Sequence, residues 1–103
     1  MAKVSVLVDT DIFIDYFNAS RFHALFDSTR FTIYYSIVTK KELLTKPGLR
    51  DAERESILAE LSPCRLLVLS DSIDATALVK RLPLVTRNKR HFQMVAGLTL
   101  FGE

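Results

Sequence analysis

The amino-acid sequence predicts an α/β fold: a three-layer sandwich with a mainly parallel central sheet of four to five strands. Three observations support this prediction. Short apolar runs rich in β-branched residues alternate along the chain with segments of helical pattern, as in repeated βα units. Most of these runs stop at a polar or acidic residue that can cap a helix. Strands joined through helices run parallel, because parallel pairing requires a long crossover connection.

The first βα unit spans residues 4–17. An apolar run at residues 4–8 is too short for a helix and has the composition of a strand buried on both faces. Asp9 or Thr10 can cap the helix that follows, which is predicted to begin near Asp11. Ligands bind beyond the carboxyl ends of parallel strands, so Asp9 is predicted to lie at the mouth of the sheet. Its carboxylate either caps the helix or ligates a hard divalent cation, and this unit alone leaves both interpretations open.

The remaining segments continue the alternation, and together they predict a single domain over residues 1–103. Strands are predicted at residues 32–38, 65–69, 84–85 and 98–101. Helices are predicted at residues 21–28, from Lys40 to the Pro47-Gly48 break, at 52–61, at 73–81 and for one turn after Asn88. The predicted N-caps are Thr39, in a T-x-x-E capping box with Glu42, then Asp51, Ser70 or Asp71, and Asn88.

The composition is that of a small globular domain, because 49% of the 103 residues are apolar. The net charge of +2 permits nucleic-acid binding without arguing for it. Cys64 is the single cysteine, so no internal disulfide is possible and a reducing compartment is expected. The short N-terminal apolar run does not resemble a signal peptide, and no segment is long enough to span a bilayer. We therefore expect a cytoplasmic protein without membrane association.

Acidic and amide side chains recur at the carboxyl ends of the predicted strands. If the strands are parallel, this edge collects Asp9, Glu42 at the start of its helix, Asp71, and Thr86 with Asn88. Each residue has a helix-capping explanation, but capping alone explains less well why such residues recur at every strand end. Clustered carboxylates bind Mg²⁺ or Mn²⁺, which lower the pKa of a bound water and stabilise charge developing on a phosphate.

Basic residues accompany these acids. Residues 87–91, with the sequence RNKRH, are predicted to lie beside the acidic edge, where they can hold a phosphodiester backbone. Ordinary surface charge is the alternative explanation for most basic residues of the chain. The residues predicted to contact nucleic acid are Lys40, Arg87, Lys89 and Arg90.

The first two helical segments are unusually aromatic, since five of the seven phenylalanines fall between Phe13 and Phe31. Core packing accounts for part of this set. Two adjacent short helices of this kind nevertheless have more apolar surface than a small core needs. We therefore expect a homodimer, or a complex with another protein, that buries the surface of Phe17 and Phe26.

Three blocks of the sequence resemble a known family, the PIN domain, and specifically the VapC-type toxins of toxin–antitoxin pairs. They are VLVDTDIFIDYF, SIVTKKELL and LPLVTRNKRHFQMVAGLTLF, which lie in the family's order and cover nearly half of the chain. The resemblance implies a Mg²⁺- or Mn²⁺-dependent endoribonuclease that is usually dimeric. It also implies neutralisation by a small antitoxin protein that wraps the helices of the toxin.

The resemblance implies roles for individual residues. The family's first metal-binding Asp falls on Asp9, and its Glu falls on Glu42. Its Thr and its fourth acidic-or-amide position fall on Thr86 and Asn88. The third catalytic Asp falls on Asp71, which begins a D-x-I-x-A-x-A segment. Asp9, Glu42 and Asp71 are thereby implied to hold the metal, while Thr86 and Asn88 position the water or the metal.

The chain departs from the family between residues 69 and 84, where members carry two helices and this chain carries one. The remaining helix resembles the one that begins with the third catalytic Asp. It could instead be the other helix, with the catalytic one lost and Asp74 as a substitute acid. His91 also stands where members often have a further acid. This acid-poor site supports an alternative function, a degenerate PIN domain that serves only as a protein- or RNA-binding module.

A third hypothesis, a phosphatase, follows from Asp9-Thr10-Asp11, which also matches the D-x-D motif of the haloacid dehalogenase family. That family usually has a Thr shortly after the second Asp, where this chain has Ile14 or Asp15. It also needs a later lysine and an acidic pair on a longer core. The nuclease is therefore the leading hypothesis.

Overall fold

The computed structural model describes residues 3–19, 21–27, 29–68 and 72–101. The longest helix has 11 residues, and no helix within these ranges has the length and hydropathy needed to cross a membrane. In chain order the elements are β1 (Val4–Val8), α1 (Thr10–Ala19), α2 (His23–Phe26), β2 (Phe31–Ser36), α3 (Ile37–Leu44), α4 (Asp51–Leu61), β3 (Arg65–Leu67), α5 (Ile73–Lys80), β4 (Leu84–Val85) and α6 (Lys89–Phe92).

The central sheet has four parallel strands in the order β3-β2-β1-β4. The chain starts at β1, moves outward to β3 and then returns to the opposite side of β1 as β4. This reversal makes the carboxyl ends of β1 and β4 the switch point of the sheet, where parallel α/β folds bind their ligands. The fifth strand expected at residues 98–101 is reduced to an isolated bridge between Leu84 and Leu100.

Helices cover both faces of the sheet, which confirms the predicted three-layer α/β sandwich. Successive side chains of β1 point to opposite faces, as in any strand. Val6 and Val8 belong to a core that includes buried residues of α1, α2, α3 and α4. Leu7 belongs to a second core with Ala77 of α5 and Phe92 of α6. Burial of β1 on both faces explains its almost wholly apolar sequence.

The aromatic side chains of α1 and α2 pack against one another and against the first core. Phe13 is fully buried, and its ring lies 5.2 Å from that of Phe26 and 6.0 Å from that of Phe17, measured between centroids. Phe17 and Phe26 are both partly buried against the first core. Tyr16 stacks on Phe26 at 4.2 Å. The two rings expected at a dimer interface are therefore already in contact with core residues, and the dimer stays a prediction.

Helix α3 begins earlier than the sequence predicted. The expected start was Lys40 with Thr39 as the cap, but the helix begins at Ile37 and Ser36 is its N-cap. The Ser36 hydroxyl accepts a hydrogen bond from the Thr39 amide at 3.2 Å. The β-branched pair at residues 37 and 38 has strand propensity, and the Ser36 cap and the packing of the helix override it. Thr39 therefore lies inside α3, which excludes the expected capping box with Glu42.

The N-caps of α4 and α5 also differ from the predicted ones, whereas Asn88 is the N-cap of α6, as predicted. Ser72 caps α5, and its hydroxyl accepts from the amide of Ala75; the expected caps Ser70 and Asp71 lie outside the described residues. Asp51 is the first residue of α4 rather than its cap, a position that favours an acidic side chain near the positive end of the helix. Asn88 precedes α6, but its side chain makes no capping hydrogen bond.

Cys64 is a free thiol between α4 and β3. Burial, and secondarily the charge of Glu60, raise the pKa of this thiol to about 11. The thiol therefore stays protonated near neutral pH, which makes it a weak nucleophile and a weak metal ligand.

Candidate active site

The candidate site lies at the switch point of the sheet. Asp9 directly follows β1 and Thr86 directly follows β4, so the pairing of these two strands brings together residues that are 77 positions apart. The Asp9 amide donates to the carbonyl of Val85 at 2.9 Å and continues the ladder of the sheet by one bond. Asp9 is only 8% exposed and Thr86 only 3%. A buried carboxylate thus lies where the sequence predicted one.

Both oxygens of the Asp9 carboxylate accept hydrogen bonds. Oδ1 accepts from the amide of Thr10 at 2.7 Å, and Oδ2 accepts from the hydroxyl of Thr86 at 2.7 Å. The Thr86 hydroxyl in turn accepts from the amide of Asn88 at 3.0 Å, which fixes the direction in which it donates. Each carboxylate oxygen has more than one acceptor site, so both retain the capacity to bind a cation or a further donor.

Glu42 reaches the same region from α3, although the residue as a whole is exposed. Its Oε1 lies 2.7 Å from the hydroxyl of Thr10, and that hydroxyl also lies 2.9 Å from the hydroxyl of Thr39. A hydroxyl has one proton and an ionised carboxylate can only accept. We therefore infer that Thr10 donates to Glu42 and accepts from Thr39. The last turn of α3 is thereby tied to the first turn of α1.

Thr10 joins the two acids, a role that the sequence analysis missed. Its amide holds Asp9 and its hydroxyl holds Glu42. Sequence rules predict only helix capping for Thr10 and Thr39, because both stand where a cap is expected. Thr10 and Thr39 are 29 positions apart in the chain, so no local sequence pattern predicts that they are in contact. The available clue was a threonine near each predicted acid: Thr10 directly follows Asp9, and Thr39 precedes Glu42 by three residues.

Asp11 adds a second acidic side chain beside Asp9. Its Oδ2 accepts from the amide of Arg87 at 3.3 Å, whereas its buried Oδ1 has no hydrogen-bond partner in the part of the chain that the structure describes. Burial and, next, the charge of Asp9 raise the pKa of Asp11 from its ordinary value, against a smaller opposing effect of Arg87. A buried acceptor without a donor is costly, and a bound cation would remove that cost.

The donor set of this edge fits a hard divalent cation, because carboxylate and hydroxyl oxygens are the ligands that Mg²⁺ and Mn²⁺ prefer. The unpartnered oxygen of Asp11 is the structural observation that favours this fit. Among residues 3–68 and 72–101, as far as they are described, no three acidic, His or Cys side chains converge closely enough to hold a metal. Asp71, the predicted third acid, lies outside the described residues. Asp74, the substitute considered for it, is half-buried in the first turn of α5.

The basic residues predicted to contact nucleic acid lie on three elements around this edge. Lys40 is half-buried on α3, and Lys89 and Arg90 are exposed on α6. Arg87 lies in the loop between β4 and α6, where its guanidinium forms an ion pair with Asp15 of α1. Lys89 and Arg90 are accessible to a phosphate, whereas the guanidinium of Arg87 already has a carboxylate partner.

Comparison of the sequence with known protein families and with curated proteins gives no match. Solved structures do match. One is a chain of the crystal structure of VapBC2 from Rickettsia felis bound to a DNA fragment from their promoter, with 16% sequence identity, a TM-score of 0.72, and coverage of 95% of this chain and 98% of that chain. Another is a chain of a toxin–antitoxin complex from Klebsiella pneumoniae, with 22% identity, a TM-score of 0.66, and coverage of 91% and 95%.

At these identities the likeness concerns the fold. The chain is an α/β domain with the fold of these two toxin–antitoxin chains, and it carries acidic side chains at the switch point of its sheet. This is the PIN-like α/β fold that the sequence resemblance implied.

The hydrogen bond from Thr86 to Asp9 gives a first testable prediction. Thr86→Val keeps the shape of the side chain but removes the hydroxyl that donates to a buried carboxylate. We expect the free energy of unfolding at pH 7 to fall by about 1–3 kcal/mol, as measured by urea denaturation. Thr99→Val, at an exposed position, is the matched control and should change stability by less than about 0.5 kcal/mol. Equal effects of the two substitutions would contradict the assigned role of Thr86.

The raised pKa of Asp11 gives a second prediction, which concerns pH. The ionised form of Asp11 is less favourable in the folded chain than in the unfolded chain, because its pKa is higher in the folded chain. Ionisation of Asp11 therefore lowers the free energy of unfolding, and this loss grows as the pH rises from the ordinary pKa of 3.8 through the higher pKa of the folded chain. Asp11→Asn removes this contribution and retains an acceptor for the Arg87 amide. We expect the variant to be more stable than the wild type at pH 7, by less than about 1 kcal/mol because the side chain is only half-buried.

This advantage of Asp11→Asn should shrink as the pH is lowered from 7 toward 4, in urea denaturation series of both proteins. If the difference in stability between the two proteins stays constant over this range, or grows as the pH falls, the ionised Asp11 carboxylate is not the source of the destabilisation.

Proposed function

We propose that this chain is a metal-dependent endoribonuclease and the toxin of a toxin–antitoxin pair. The observation that carries the proposal is the buried Asp9 carboxylate at the switch point, with both oxygens held and with Glu42 joined to it through Thr10. A carboxylate that is fixed and desolvated, yet retains free acceptor sites, suits a cation better than it suits helix capping alone. The VapC-type PIN fold supports the same reaction class.

The proposed metal ligands are Asp9, Glu42 and Asp71, with Asp74 as the alternative to Asp71. Bound Mg²⁺ or Mn²⁺ would stabilise the negative charge that develops on the phosphodiester, and it would lower the pKa of a bound water. Thr86 orients the Asp9 carboxylate by its hydrogen bond, and the amide of Asn88 in turn orients Thr86. These two positioning residues keep the Asp9 oxygens from rotating away from the site.

The proposed substrate is RNA, which Lys40, Lys89 and Arg90 would attract through its phosphates. Their contribution is electrostatic and independent of base sequence, so it should weaken as the salt concentration rises. The cytoplasm is the proposed compartment, since the substrate is found there and a free cysteine is compatible with its reducing conditions. The homodimer is part of the same proposal, with its interface unassigned.

An acidic and apolar groove supports the proposed antitoxin partner. It has a volume of about 600 Å³ and lies beside α1, α3 and α4. Its apolar lining includes Ile14, Leu43 and Ile57. Its charged side chains are three acids and one cation, namely Glu42, Glu53, Glu60 and Lys46, so negative charge predominates. An amphipathic segment with apolar and basic side chains fits this lining. Because Glu42 belongs to the groove and to the site, an occupant of the groove would also reach the site and block it.

The nuclease proposal is tested with Asp9→Asn. The oxygen of the asparagine side chain still accepts from the Thr10 amide, and its NH2 group can donate to the Thr86 hydroxyl in place of the bond that Asp9 accepted, so the fold is expected to persist. The substitution removes the negative charge from the proposed metal site. We expect cleavage of a mixed structured RNA in Mn²⁺ to fall at least about a hundredfold, because a metal ligand contributes several kcal/mol to stabilising the transition state. Asp51→Asn, an exposed acid at the start of α4, is the control and should cleave as the wild type does.

Cleavage that survives Asp9→Asn, or that continues in the presence of a chelator, would contradict this mechanism. A second candidate function, a degenerate PIN domain that only binds, is favoured by the lack of a converging three-acid group among the described residues. It predicts that the wild type neither cuts RNA nor binds Mn²⁺ in calorimetric titration.

The groove gives a separate prediction for the partner. Glu53→Lys reverses a charge on the lining, and we expect it to weaken binding of the co-produced antitoxin about tenfold or more, mainly through like-charge repulsion with a basic segment. Glu55→Lys makes the same change on α4 at an exposed position outside the lining, and it should leave the affinity nearly unchanged. If both variants bind the antitoxin equally well in calorimetry, the partner uses another surface.

A further inference from the structure

The loop after β4 is held at three points, one on Asp9 and two on helix α1. The Thr86 hydroxyl donates to Oδ2 of Asp9 at 2.7 Å. The Arg87 amide donates to Oδ2 of Asp11 at 3.3 Å, and Nη1 of Arg87 donates to Oδ2 of Asp15 at 2.5 Å. We call the contacts of Arg87 with Asp11 and Asp15 the clasp.

The geometry of α1 makes the clasp a two-point attachment. Asp11 and Asp15 are four residues apart, so they lie on the same face of the helix, one turn from each other. Arg87 uses its backbone for the first and its side chain for the second. A residue held at both its main chain and its side-chain end has little freedom to rotate or shift along the helix.

The loop needs such an attachment because the elements on either side of it are short. β4 has two residues and pairs with β1 only through Leu84 and Val85. α6 has four residues. Few backbone hydrogen bonds therefore hold residues 86–88 in place, and the side-chain contacts with α1 supply the rest.

The surroundings of the ion pair also favour a structural role for Arg87. The side chain of Asp15 is only 15% exposed, whereas that of Arg87 is 52% exposed. The carboxylate is thus largely removed from water, and the guanidinium provides its compensating charge. An arginine engaged in this way is less available to a phosphate than the exposed Lys89 and Arg90.

We propose that Arg87 is a positioning residue: through the clasp it holds residues 86–88 against α1, so that Thr86 keeps the Asp9 carboxylate in its metal-binding orientation. The effect on metal binding rests on the function proposed above. This role replaces the direct RNA contact that the sequence predicted for Arg87.

The proposal is tested by Mn²⁺ titration calorimetry on Arg87→Gln, Asp15→Asn and the double variant. We expect each single substitution to weaken Mn²⁺ binding about tenfold, as for other residues that orient metal ligands. The double variant should be no weaker than either single variant, because both remove the same contact. A purely electrostatic role predicts the opposite sign for Arg87→Gln, since removing a positive charge beside acids would tighten Mn²⁺ binding.

Hydrogen exchange of the Arg87 and Asn88 amides provides a readout that requires neither metal nor activity. In Asp15→Asn, where both amides are chemically unchanged, we expect them to exchange about tenfold faster than in the wild type, because the loop opens more often. Arg65→Gln at the amino end of β3 is the matched control for loss of an arginine, and should alter neither these rates nor the Mn²⁺ affinity.

The possible outcomes separate the two proposals. A wild type that binds no Mn²⁺ would overturn the proposed function, while the exchange rates would still decide whether the clasp holds the loop. Mn²⁺ binding by Arg87→Gln that is as tight as that of the wild type, or tighter, would overturn the positioning role. Unchanged exchange of both amides in Asp15→Asn would overturn the clasp itself.

Discussion

The burial of one carboxylate, that of Asp9, is the constraint on which the rest of the site depends. An ionised group removed from water is strongly destabilising unless donors replace the lost hydration. Here one donor comes from the next residue, and the other comes from Thr86 on the neighbouring strand. The sheet must therefore place β4 directly beside β1, and the strand order does so. The same arrangement that satisfies the buried charge also creates the polar edge at which chemistry can occur.

Buried hydroxyl groups also connect helices α1 and α3. Ser36 and Thr39 are fully buried, and their hydroxyls find partners in each other and in Thr10. Because Thr10 then contacts Glu42, the polar groups of α1 and α3 satisfy one another and fix the two helix starts together. Buried polar contacts of this kind specify a geometry more narrowly than apolar packing does. The contact of Glu42 with Thr10 thus depends on the buried hydroxyls of the core as well as on the surface of α3.

The sequence predicted the features that obey local rules. The apolar run before Asp9, the parallel sheet and the position of Thr86 at a strand end all follow from composition, periodicity and chain order. The start of α3 was wrong because Ile37 and Val38 have strand propensity, and a single serine hydroxyl decides the boundary. The links from Thr10 to Glu42 and from Arg87 to Asp15 could not be predicted, because they join residues 32 and 72 positions apart. A sequence shows a charge but not the partner that neutralises it.

The pairing of β1 with β4 also has a consequence for how the protein is made. The contacts of β1 with β2 connect nearby parts of the chain, whereas Asp9 obtains its second donor from a residue 77 positions later. Contacts of such long range form late, because closing a long loop costs entropy before the contact is gained. A growing chain can therefore form its first two strands and their helices while the polar edge is still open. The candidate site is assembled only after residue 86 has joined the sheet, so a chain still in synthesis carries the separate parts of the site but not the site itself.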